Sequence, residues 1–249
     1  MKNTILFLSL LLAIGVQAQT RIEWQKSYGG SLWDQANAIR QTTDGGYVVA
    51  GYTESNDGDV EGNNGGDDYW IMKMDADGNI QWKERFGGSA DDRAEDIEQT
   101  ADGGYIVVGH SLSADGDVGG NKGIRDYWAV KLDAAGQLQW EQNYGGSNFD
   151  VAYAVRQTAD EGYLVAGWSR STDGDVSGND GGDDYWVVKL DTNGDIVWER
   201  SYGGTNNEQC YSLELTADGG FVMAGYSYSS NGDVGGNFGA QDYWVVRCN

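Results

Sequence analysis

The residues best equipped for chemistry are carboxylates, and they recur in one loop. Its first copy reads Asp57-Gly58-Asp59-Val60-Glu61-Gly62, with Asp68 at the twelfth place. Oxygen donors at the first, third, fifth and twelfth places, with glycine at the sixth, match the spacing of calcium loops. There, alternate oxygens converge and glycine permits the sharp turn. The third copy repeats the pattern with Asp173, Asp175, Ser177 and Asp184. The second has Asp115, Asp117 and Asp126 but Gly119 at the fifth place, and the fourth weakens to Asn231, Asp233 and Asp242. The twelfth place, usually a bidentate glutamate, is aspartate throughout. Structural calcium is one expectation; an Asx/Gly turn whose carboxylates cap backbone N–H groups is the other.

A second set is aromatic. Tyr52, His110, Trp168 and Tyr226 share one repeat position, and an exposed ring there would offer a stacking platform for a glycan. Catalysis finds little support. His110 is the only histidine, which excludes a His-rich metal site and leaves a single candidate base for a triad. Paired carboxylates could serve glycoside hydrolysis, yet near-equivalent acids in every copy lack the asymmetry that separates two pKa values. No catalytic residue is assigned, and no phosphate-binding glycine loop is present. Cys210 and Cys248 replace apolar residues of other copies. In an exported protein they read either as a disulfide or as two buried thiols.

The elements that must position these residues come from a repeat. Trp24, Trp82, Trp140 and Trp198 are each 58 residues apart, and each precedes an aromatic-Gly-Gly. An Asp-Gly-Gly-type hairpin turn near Asp44, Asp102, Asp160 and Asp218 and an Asp-Tyr-Trp run complete each unit. Four matches in phase across many positions define a repeat architecture. Each unit predicts four short strands, in the first copy near 36–42, 47–52, 69–75 and 80–86. The second and third of these are apolar on both faces, so the sheets must be sandwiched between neighbours, as blades of a β-propeller are. The expected fold is therefore an all-β four-bladed propeller spanning residues 19–249. The segment 21–28 is expected to complete the last blade as its outer strand and close the ring, removing exposed edges. A linear β-repeat array is the alternative.

These same runs, Asp-Gly-Gly-Tyr-x-Val-x-Gly, Asp-Gly-Asp-Val and Asp-Tyr-Trp-x-Val-Lys-Leu-Asp, resemble the short-repeat β-propeller proteins secreted by bacteria. The resemblance implies a propeller fold and an extracytoplasmic location, and little about activity.

Residues 1–18 form a leader: Lys2, an apolar run from Ile5 to Val16, and Val16-Gln17-Ala18 as a small-x-small cleavage site. The run is too short to span a bilayer. Secretion, or delivery to the cell surface or periplasm, is expected. Of 249 residues, 39 are acidic and 16 basic, a net charge of −23. That excess argues against nucleic acid and anionic membranes as partners, because phosphate binding needs basic patches. With no proline, 39 glycines, 10 tryptophans and 15 tyrosines, the chain is built for turns and strands. The expected role is a binding or scaffold module, monomeric, presenting loops to an extracellular glycan or protein. An extracellular carbohydrate-active hydrolase is the competing class.

Overall fold

Short apolar runs bounded by Asp-Gly turns dictate strands too short to bury anything alone, and stacking supplies the burial. A computed structural model describes residues 21–249; the leader expected at 1–18 lies outside them. Every described element is a strand. The first unit contributes β1 (Asp34–Gln41), β2 (Tyr47–Thr53), β3 (Asp68–Met74) and β4 (Ile80–Phe86). The second contributes β5 (Asp92–Gln99), β6 (Tyr105–Ser111), β7 (Asp126–Leu132) and β8 (Leu138–Tyr144). The third gives β9 (Asp150–Gln157), β10 (Tyr163–Ser169), β11 (Asp184–Leu190) and β12 (Ile196–Tyr202). The fourth gives β13 (Glu208–Leu215), β14 (Phe221–Ser227) and β15 (Asp242–Cys248). Each unit is one antiparallel meander, so the chain forms three four-stranded sheets and one three-stranded sheet, none of them closed.

Strands two and three are apolar on both faces; in the second and third sheets both faces are covered by neighbours, and in the first and fourth one face is covered. Val48, Ala50, Tyr69 and Ile71 of the first sheet pack on Ala94, Tyr105, Val107 and Trp128 of the second. The second and third sheets, and the third and fourth, repeat the arrangement. One polar contact recurs at each junction. The hydroxyls of Tyr69, Tyr127 and Tyr185 donate to the carbonyls of Trp128, Trp186 and Trp244 at 2.9–3.0 Å. The same residues form ring pairs 4.5–4.6 Å apart, a geometry adding roughly 0.5–1.5 kcal/mol beyond burial. Glycine is required opposite the tyrosine: a Cβ on Gly109 would lie 2.7 Å from the Tyr69 hydroxyl and 2.0 Å from the Arg93 carbonyl. The small residues Ala94, Ala152 and Cys210 near the start of the first strands are fully buried at the same junctions.

One expectation is corrected. Residues 21–28 form no strand and do not pair with β15. Instead the Trp24 indole donates to the Ala76 carbonyl at 3.0 Å and Tyr28 bonds Gly78, on the last turn of the first sheet. Cys210 and Cys248 are free thiols. They stand on β13 and β15, which β14 separates, with Cys248 Sγ 3.4 Å from the Tyr202 hydroxyl.

Candidate ligand-binding face

The start of each first strand, the end of the second and the start of the third all lie at one end of their sheet. The DGDV-type loops and Gly-Gly segments gather there too. The loop acids hold the backbone together. Asp57 Oδ1 accepts from the Ser31 N–H at 2.7 Å and Asp59 Oδ2 from Gly29 N–H at 3.2 Å. Asp115 and Asp117 do the same for Ser89 and Gly87, and Asp173 and Asp175 for Ser147 and Gly145. In the fourth copy Asn231 replaces the first aspartate and accepts the equivalent bond from Thr205 at 3.0 Å, beside Asp233 on Gly203. An amide that does the same work shows that the position needs an acceptor, not a charge.

The oxygens of the calcium-type pattern have partners within the protein. Glu61 points to solvent, 3.8 Å from Lys83. Asp68 accepts from Asn64 N–H at 3.0 Å and pairs with Arg85 at 2.5 Å. Asp126, Asp184 and Asp242 each accept from the backbone N–H four residues earlier. The spaced oxygens turn to separate backbone donors rather than to one point. Among the described residues no three His, Cys, Asp or Glu side chains are arranged to hold a metal. The Asx-turn reading describes these loops.

Carboxylates do meet elsewhere, across the junctions. Beside Gly87, Asp68 Oδ1 and Asp92 Oδ2 flank the same point; Asp126 and Asp150 flank Gly145, and Asp184 and Glu208 flank Gly203. Burial, reinforced by the neighbouring acids, pushes Asp126 and Asp184 each up to about 7.

Against this repeated frame, six positions at the same end change identity from copy to copy. One is the β-bulge on each first strand. It skips Asn37, Glu95, Tyr153 and Tyr211 out of the ladder, and such bulges re-aim side chains next to functional sites. The four residues form a track along the first strands. Asn37 donates to Glu95 Oε2 at 3.1 Å, and the Tyr153 and Tyr211 rings meet edge to face at 4.9 Å. Tyr226 and Tyr228 extend the aromatic end, and the exposed Trp33 flanks the polar end.

Around Glu95 the varied positions concentrate charge. Arg93 pairs with Asp67 and stacks over Tyr52 at 4.9 Å, while Arg125 lies over Phe149 at 5.9 Å. His110 Nδ1 is 3.9 Å from Glu95. Burial, seconded by Arg125 and Arg93, lowers His110 to about 3, so the ring is neutral. Burial raises Glu95 to about 7 against the pull of the two arginines. Both ring nitrogens of His110, Nε of Arg125 and Oδ1 of Asp67 are buried without a hydrogen-bond partner.

Tyr52, His110 and Trp168, expected as exposed platforms, are buried between sheets; only Tyr226 is partly open, because no further sheet covers it. Exposed rings near this end are Trp33, Tyr211 and Tyr228, with Phe238 and Tyr243 on the last unit. Arg93, Glu95, Arg125, Tyr153 and Tyr211 escaped the sequence reading, although position-by-position comparison of the copies carries the signal. Compared with known proteins, the chain matches no family model and no curated protein.

Proposed function

We propose that this protein is an exported binding module that takes a glycan on the varied end of its sheet array. The observation that carries the reading is the set of buried, unpartnered polar atoms on His110, Arg125 and Asp67, all at positions that differ between copies. An unpaired buried polar group costs roughly 1–3 kcal/mol, so such a set suits a ligand rich in donors and acceptors. Sugar hydroxyls are both. The half-exposed tyrosines along the same track offer faces for sugar C–H groups, and Arg93, Arg125 and Glu95 offer bonds that fix orientation. The leader expected at residues 1–18 supports delivery outside the cell.

One observation favours hydrolysis as a second reading. Glu95, at about 7, holds the value suited to a general acid–base near neutral pH. A panel of polysaccharides and oligosaccharides, scored for binding and for released reducing ends, separates the two. Binding without turnover is the expected result. Turnover abolished by Glu95→Gln would replace the binding module with a hydrolase, and silence across the panel would sink both.

A further inference from the structure

Among the described residues the array makes the same junction three times and leaves both halves of a fourth uncovered. On the last sheet, Tyr243 is 98% exposed and Val245 64% exposed. Their counterparts Tyr69, Tyr127 and Tyr185, and Ile71, Ala129 and Val187, are buried to 1% or less. A groove of about 370 Å³ runs beside Tyr243 and Val245. On the opposite side of the first sheet, Val49, Gly51, Trp70 and Met72 line a groove of about 320 Å³. These are the positions that receive the preceding sheet's tyrosine elsewhere: Gly109, Gly167 and Gly225 each face such a hydroxyl, whereas Gly51 faces none among the described residues.

The strand edges match as well. Among the described residues β15 has no outer neighbour, while every other sheet has four strands. Residues 22–28 lie where the outer strand of a preceding sheet would lie. Trp24 packs on Tyr47 and bonds Ala76, as Trp140 of β8 packs on Tyr163 and bonds Thr192. The acid pair matches too. Asp34 stands alone beside Gly29, where the other junctions bring a second carboxylate from the preceding sheet, and Asp242 is that residue on the last sheet.

We propose that the open face of the last sheet docks on the open face of the first sheet of a second copy, head to tail, with residues 22–28 of that copy pairing along β15. The occupant is a second copy rather than the chain's own far end because of how the first strands pack. β1 packs on β5, β5 on β9 and β9 on β13, but β13 makes no comparable contact with β1. Bringing one chain's ends together would require re-angling three well-packed junctions, whereas a second copy uses the junction unchanged. Such a heterologous contact closes into a ring or propagates as a chain of copies. It also extends the varied track, placing Tyr211 and Tyr226 of one copy beside Asn37 and Gln35 of the next.

Sedimentation velocity tests this with the purified chain and two variants, Tyr243→Asp on one face and Val49→Asp on the other. The wild type is expected as a dimer or larger, each variant alone as a monomer, and an equimolar mixture of the two as a one-to-one dimer through the remaining intact faces. A monomeric wild type overturns the proposal, and that measurement decides even if a variant fails to fold. A mixture of folded variants that stays monomeric overturns it as well. A wild-type monomer that Tyr243→Asp destabilises would assign the fourth junction to the chain itself.

Discussion

At the scale of single residues, the repeat makes each departure informative, because three other copies show what the position requires. Glu161 is the sharpest case. Its backbone lies in the left-handed region at φ 66°, where the equivalent turn positions hold Gly45, Gly103 and Gly219. A side chain there costs roughly 1–2 kcal/mol, against a smaller gain from restricting the unfolded chain. Glu161→Gly is therefore expected to raise stability by about 1 kcal/mol, seen as a higher denaturant midpoint with an unchanged slope. The track of Asn37, Glu95, Tyr153 and Tyr211 makes the opposite point. Here three different residue types, Asn, Glu and Tyr, occupy one bulge, and the backbone tolerates all of them. Function is the better account of differences at a site whose frame is constant. These residues were hard to find from sequence because they sit inside strands, where a varied residue reads as an ordinary surface position. A bulge that lifts them out of the ladder leaves no signature in spacing.

At the scale of elements, turns and strands were legible and junction chemistry was not. The Asp-Gly turns and 58-residue spacing placed all fifteen strands within a few residues. The aspartates of the long loops could be read from sequence as an ion loop or as Asx turns, since spacing along a chain does not say which backbone N–H each oxygen meets. The buried acid pairs across sheets have a consequence for pH. Asp126 and Asp184 carry folded-state values raised to about 7, above the ordinary carboxylate value. Their protonated forms are favoured by folding, so this contribution is complete below about pH 4 and is lost as pH rises through about 7. Calorimetric melting should therefore show a falling transition temperature between about pH 5 and pH 8. Asp126→Asn with Asp184→Asn, which keeps an acceptor for each backbone N–H, should flatten that slope. A slope unchanged in the double variant would assign it to other groups.

At the scale of the whole molecule, one end of the array is constant and the other varied. The constant end carries the hairpin turns, three of them pinned by a buried cation, Lys73 to Asp44, Lys131 to Asp102 and Lys189 to Asp160, at 2.9–3.0 Å, and the fourth by the exposed Arg247 on Asp218. Closure of the ring was the part of the fold that sequence could not decide. Strand count and phase say that a fourth junction has two halves, but not whether one chain or two supply them. The central claim is that the varied end holds the ligand. Isothermal titration calorimetry with the tightest oligosaccharide from the panel tests it most directly, using Arg125→Ala and Glu95→Gln at that end and Asn193→Ala at the other. Each of the first two is expected to weaken binding at least tenfold, about 1.4 kcal/mol, while Asn193→Ala leaves it unchanged. Affinity indifferent to Arg125 and Glu95, or lost with Asn193→Ala, would contradict the account.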